Sequence, residues 1–226
     1  MADRELYKLL AWFSPAMPTG AFSYSHGLEW AVEDGLVHDA DTLHAYITAA
    51  LREGSGRLDA SLLCAACTAE DPAALEPVTE LAAAMRGTCE LALESGAQGR
   101  ALLTALRRAW PAPALDDLAV LAGRLDVEPP HAVVAGVAAA AHGLPLQHAL
   151  IAFLHGLAAN LVSAGVRLIP LGQSEGQRLT AALGEVVEAV AEKAMTTPLD
   201  ELGTATPMID WCSVRHETQR TRLFRS

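Results

Sequence analysis

The chain has 226 residues, is 51% hydrophobic with a mean hydropathy of +0.23, and carries a formal net charge of −11. That length can bury one sizeable core, as one large domain or two small ones. The acidic balance argues against nucleic acid, whose phosphates need a basic face, and four cysteines in so long a chain do not make a disulfide framework.

Apolar periodicity reads as helix almost everywhere and as strand almost nowhere. Asp3 can cap a helix from Arg4 to about Phe13, ended by Ser14-Pro15. A short helix from Glu29 to Asp34 closes on Gly35, and Asp41 can cap the next, which runs to Gly54. Leu58 to Ala69 is apolar on most sides. Asp71-Pro72 is a cap followed by proline at the first helical position, opening a helix that reaches Arg86. Cys89 to Trp110 is longer, with Gly96 and Gly99 marking a close approach or a weak turn. Leu115 to Leu125, His131 to His142, Leu146 to Val166 and Ser174 to Met195 complete the series, with proline and glycine between them. The expected fold is all-α, a single-domain bundle of about ten helices over residues 1–212, with residues 213–226 as a separate arginine-rich tail.

Leu144 to Ile169 is the one stretch with the hydropathy of a membrane span. Gln147, His148, His155 and Asn160 interrupt it, so a buried central helix and no membrane contact are expected. No charged, apolar, small-residue leader opens the sequence, which makes the cytoplasm the expected compartment.

Catalytic and metal chemistry is mostly absent from the pattern. Cys64-Ala-Ala-Cys67 has metal or redox spacing, but no second Cys or His pair lies near it, and it reads as small core residues of an alanine-rich helix. His148 and His155 share a helix face, yet seven residues separate them by about 10 Å, too far for one ion. No phosphate-binding loop occurs, so neither nucleotide nor metal is expected to be held by this chain. Ser23-Tyr-Ser-His-Gly27 is one substitution from the elbow that exposes the serine of α/β-hydrolases, which makes a hydrolase built on Ser25 an alternative reading. That elbow needs a strand before it. The reading preferred here is a fixed loop in which Pro15, Pro18 and Gly20 set the turns, Ser25 caps the helix of Glu29, and Phe22 and Tyr24 form a recognition surface.

The last dozen residues stand out by charge. Arg215, Arg220, Arg222 and Arg225 against Glu217 give them three net positive charges, leaving fourteen negative on the rest. Arginine is a particular choice in a chain with two lysines, because its planar fork pairs with carboxylates at two points. With Leu223 and Phe224 among them, the segment reads as a docking peptide that orders on a partner, Phe224 being the anchor and the arginines the guides. Arg167, on the polar edge of an apolar helix, is expected to reach an acidic group or helix-end carbonyls and to brace the turn Ile169-Pro-Leu-Gly172; the alternative is that it faces a partner and supplies positive charge there.

Three segments together resemble one known family. Ser14-Pro-Ala-Met-Pro-Thr-Gly-Ala-Phe-Ser-Tyr-Ser-His-Gly-Leu-Glu29 resembles the amino-terminal signature of urease accessory protein F. Asn160-Leu-Val-Ser-Ala-Gly-Val-Arg-Leu-Ile-Pro-Leu-Gly-Gln-Ser-Glu-Gly-Gln177 is similar to its second signature, and Arg215-His-Glu-Thr-Gln219 with Arg222-Leu-Phe-Arg-Ser226 to its third. Glu94-Ser95 with Gln98-Gly99 falls where that family has a like motif. The resemblance implies an all-helical, non-enzymatic chaperone subunit that dimerises. Such a subunit bridges accessory protein D (H in some systems) and the GTPase accessory protein G, and acts on apo-urease so that nickel enters its active site. Nickel and GTP would then be handled by partners. Phe22, Tyr24, Glu29, Arg167, Gln173, Arg215, Glu217, Arg220, Arg222, Phe224 and Arg225 are the expected partner-binding residues. A helical oligomeric adaptor unrelated to urease is the remaining alternative.

Overall fold

Runs of alanine and leucine between proline and glycine breaks give helices, and a computed structural model describing residues 3–226 contains twelve of them and no strand among the described residues. They are α1 (Asp3–Trp12), α2 (Leu28–Glu33), α3 (Ala40–Arg52), α4 (Ser55–Thr68), α5 (Pro72–Ala84), α6 (Cys89–Ala109), α7 (Pro113–Leu125), α8 (His131–Ala141), α9 (Leu146–Leu168), α10 (Gln173–Ala182), α11 (Gly184–Ala194) and α12 (Pro207–His216). The all-α bundle expected from the sequence is therefore what forms.

Several boundaries differ for identifiable reasons. α3 is capped by Asp39, whose carboxylate accepts the Thr42 N–H at 2.9 Å while Thr42 Oγ1 accepts back from the Asp39 N–H, so the cap lies two residues before Asp41. The expected helix from Ser174 to Met195 is two helices. At Leu183 ψ opens to −11°, and Gly184, with no side chain to support the ladder, begins the second. α12 was not foreseen; Pro207 opens it, and the expected division after Cys212 falls inside it.

The core is built on α4, α8 and α9. α8 packs along α4 and α6, and α9 runs under α2, α3, α4, α10 and α11. Small residues permit these approaches: a Cβ at Gly136 of α8 would lie 2.5 Å from the Leu63 carbonyl oxygen of α4, and one at Gly165 of α9 would meet Leu43. α9 is long and apolar enough to cross a membrane by length and composition, but half of its most apolar window is buried within the bundle. α2 and α12 pack against each other at one end, and α6 runs beside α12. That end carries the polar cluster described next.

Candidate functional site: a buried polar cluster beneath the C-terminal segment

On α6 the residues Glu90, Glu94, Gln98, Leu102 and Leu106 recur every fourth position, so they form one stripe, and all five are buried. The C-terminal half of the stripe is core. Its N-terminal half brings two carboxylates and an amide inside, where each must find partners.

His216, at the end of α12, has no exposed surface and answers two acidic groups at once. Its Nδ1 lies 2.8 Å from Glu90 Oε2 and its Nε2 3.0 Å from Glu29 Oε2 of α2. Glu29 also accepts the backbone N–H groups of Leu223 (2.6 Å) and Phe224 (2.9 Å), so one carboxylate holds both α12 and the segment after it. Arg222 Nη1 donates to Glu90 Oε1 at 2.9 Å. His216, Arg222 and the two backbone N–H groups thus give every oxygen of Glu29 and Glu90 a hydrogen-bond partner, which is how buried carboxylates are tolerated. Beside them, Glu94 receives Gln98 Nε2 at 3.1 Å and Ser226 Oγ at 3.0 Å, and lies 3.3 Å from His26 Nδ1. His26 Nε2 faces Ser55 Oγ at 2.7 Å, and Thr88 and Ser213 share a buried hydroxyl pair at 2.7 Å.

The C-terminal segment thus folds back onto its own chain. Ser25 N–H donates to the Ser226 carbonyl at 2.8 Å, the Ser25 hydroxyl donates to the same oxygen, and Arg225 N–H donates to the Ser23 carbonyl at 2.7 Å. Phe224 is 3% exposed, which corrects its expected role as an anchor free to enter a partner: the N–H bonds at Glu29 turn its ring inward. Burying a Phe ring stabilises by about 2–3 kcal/mol, so the segment is seated by its own chemistry.

The loop before α2 serves the same arrangement. Gly20 and Gly27 take left-handed φ of 77°, and a Cβ at Gly27 would stand 2.9 Å from Ser213 N, so α2 and α12 meet backbone to backbone there. Tyr46 Oη donates to the His26 carbonyl and Asn160 Nδ2 to the Tyr24 carbonyl. Tyr24 is buried at 2% exposure, so its ring is core and not an open recognition surface; the Arg225 guanidinium lies 5.6 Å from it. The N-cap of α2 is Gly27, which offers no side chain, so Ser25 is not the cap expected of it; from two residues earlier its hydroxyl accepts the Glu29 N–H at 3.3 Å. The exposed elbow on which the hydrolase alternative rests is not formed here. Among the described residues no strand precedes Ser25, its hydroxyl is fully buried against Ser226, and His26 turns to Glu94 and Ser55.

Arg167 finds carbonyls and aromatic faces, with no acidic group. Its Nε donates to Ser163 O of its own helix and its Nη1 to Phe22 O, while the guanidinium lies 3.6 Å from the Phe22 ring and 4.3 Å from the Phe224 ring. It therefore pins the loop and the C-terminal segment to α9, and does not brace the turn after Ile169. Burial pulls its pKa below the ordinary value. Phe22 and Leu223 stay exposed around this stack. Arg215 lies over Trp30 and Trp211, at 4.8 and 5.7 Å, beside the exposed Met208 and Val214. Glu217 offers its backbone carbonyl to Arg222 Nη2. Arg220 is exposed, and Gln173 is exposed at the first position of α10; neither makes a hydrogen bond to the buried cluster.

His26, Glu90, Glu94 and His216 were missed as cluster members. The four-residue spacing of Glu90, Glu94 and Gln98, continued by leucines, was the available signal. Among the described residues no group of three or more His, Cys, Asp or Glu side chains is arranged to hold a metal ion. Cys64 is buried and its thiol pushed up to about 12 by burial, with Cys67 also raised, as for small core residues. A cleft of about 470 Å³ opens beside the cluster, between the Ser14–Phe22 loop, α6 and α9. Asp59, paired with Arg86, and His131 lie along it, and burial pulls His131 down to about 4.

The UreF family profile matches residues 37–184. The urease accessory protein UreF of Granulibacter bethesdensis is 49% identical over 99% of this chain and 95% of its own length. Those of Rhodopseudomonas palustris strain TIE-1 and Bradyrhizobium sp. strain ORS 278 are each 48% identical over 98% of this chain and 92% of their own. Agreement at that level over nearly the full length of both chains, together with an all-helical fold, identifies the chain as a member of the UreF family of urease accessory proteins.

Proposed function

We propose that this chain is a non-enzymatic chaperone subunit of urease maturation, which joins accessory protein D/H to the GTPase accessory protein G and couples GTP turnover to nickel entry into apo-urease. It works in the cytoplasm as a homodimer, while nickel and GTP are carried by its partners. The observation that supports this reading best is the seated C-terminal segment. By holding that segment from inside through Glu29 and Glu90, the fold turns Arg215, Arg220, Arg225 and Leu223 outward as an ordered surface beside Phe22 and Trp211. An ordered surface binds at lower entropic cost than a free peptide. Gln173 and Glu217 lie outside the buried cluster and serve only if a partner reaches them. Some of the expected residues act from behind: Tyr24, Glu29 and Phe224 build the surface without touching the partner.

The test is co-expression of apo-urease and the other accessory proteins with either the whole chain or a chain ending at Glu217. The shortened chain keeps α12, His216 and Arg215 but loses Arg220, Leu223 and Arg225 from the surface. Urease recovered with it should contain little nickel and show little activity, and the D/H-type protein should no longer co-purify with the chain. Full nickel loading with the shortened chain would overturn the proposal.

A further inference from the structure

α1 turns Leu9 and Trp12 into the bundle and leaves Leu6, Tyr7 and Leu10 exposed. It packs on α9, and its last turn, with Trp12 and Phe13, forms part of the wall of the 470 Å³ cleft. It also meets His142, at the C-terminal end of α8. The Trp12 indole meets the His142 ring edge-on at 5.1 Å and 71°, and meets the Trp110 indole at 6.0 Å and 74°. Lys8 Nζ lies 3.1 Å from His142 Nδ1, and His142 Nε2 lies 3.1 Å from the Trp110 carbonyl oxygen.

An ammonium can only donate and a carbonyl can only accept. The ring must therefore offer a lone pair at Nδ1 and a proton at Nε2, which is one neutral tautomer. A proton added at Nδ1 takes the lone pair away and sets an imidazolium against the Lys8 ammonium. We propose that His142 is a proton-released catch for α1: neutral, it ties Lys8 to the end of α6; protonated, it expels Lys8, lets α1 swing away at Ser14-Pro15 and opens the cleft.

The groups around the ring act in the following directions. Burial pulls the imidazole below the 6.5 of a free histidine, the hydrogen bond to the Trp110 carbonyl opposes that, and the Lys8 charge from α1 adds to it. The C-terminal end of α8, on which the ring sits, favours the protonated form as any helix end does. The end of α6 contributes the Trp110 carbonyl and indole, and among the described residues Lys8 is the only charged side chain acting on the ring. Because the docked pKa is the lower one, docking of α1 is complete above pH 6.5 and weakens as pH falls below it.

Hydrogen exchange of the full chain, read by mass spectrometry at about pH 7.5 and about pH 5.5 and corrected for the intrinsic pH dependence of exchange, tests this. Protection of residues 3–12 should fall by about fivefold or more at the lower pH, relative to residues 146–168. In His142→Phe, which keeps an aromatic edge for Trp12 and takes no proton, protection of residues 3–12 should be the same at both. Lys8→Met, which removes the second cation, should shrink the fall. An unchanged α1 in the wild-type protein would overturn the proposal, as would a wild-type-sized fall in His142→Phe. Should His142→Phe fail to fold, a fall of undiminished size in Lys8→Met overturns it.

Discussion

Glu29 shows how one side chain can set the course of a dozen residues. Its two oxygens take the N–H groups of Leu223 and Phe224 and face His216 Nε2, so the carboxylate acts as a template for the chain's return. Glutamine keeps the shape but has one acceptor oxygen, and its amide nitrogen would confront a donor. At least one buried N–H then loses its partner, at a cost of about 1–3 kcal/mol. Glu29→Gln should leave helical content unchanged while trypsin cuts after Arg220, Arg222 or Arg225 sooner than in the wild type, as mass spectrometry of the released peptides would show. Arg167 works from the other side of the segment, as a plate between Phe22 and Phe224. Lysine there keeps the charge but loses the flat face and one of the two carbonyl bonds. A loss of about 1 kcal/mol lowers the melting temperature of a domain this size by about 2–4 °C, so Arg167→Lys should melt that much earlier in a calorimetric scan.

At the level of elements, the contacts that position the cluster are approaches of backbone to backbone. α6 passes the turn before α8 so closely that a Cβ at Gly99 would stand 1.9 Å from the Pro129 carbonyl oxygen and 2.8 Å from His131 N. Both obstacles are main chain and cannot rotate away. Gly99→Ala must push α6 from α8, and overpacking typically costs about 1–3 kcal/mol. Urea denaturation should show the midpoint lowered with the slope retained. Displacing α6 would also move Glu90 and Glu94, so the same variant should loosen residues 217–226, which those carboxylates help to hold; native-state hydrogen exchange can follow both effects in one sample.

For the molecule as a whole, His131 and His142 make acid the destabilising direction. Burial holds His131 at about 4 and pulls His142 below 6.5, so the folded state resists taking protons that the unfolded chain accepts. Their contribution is fully present above pH 6.5 and is lost as pH falls from there toward 4. The urea midpoint should decline over that interval, and His131→Phe should flatten the lower part of the decline. A midpoint constant from pH 7 to pH 4.5 would show that these rings do not resist protonation in the fold.

The pattern of apolar residues and breakers determined the all-α bundle, the central place of α9 and the ends of most helices to within a few residues. Those features depend on local periodicity and capping, which a chain displays in its own order. The motifs likewise marked the Ser14–Glu29 loop and the Arg215–Ser226 segment as signatures of one family. What the two segments do to each other was not legible. Phe224 looks like an anchor for a partner until Glu29, almost two hundred residues earlier, is seen to hold its N–H, and Tyr24 looks like a surface aromatic until Asn160 fixes the backbone that buries it. α12 escaped notice because its burial comes from α2 and α6 and its own apolar pattern is weak. Pairings such as His216 with Glu29 and Glu90, or Lys8 with His142, join residues more than a hundred positions apart. Nothing in the local sequence ranks one distant acidic group above another; packing alone brings these together, and the cost of leaving a buried charge unpaired then decides where the chain must turn.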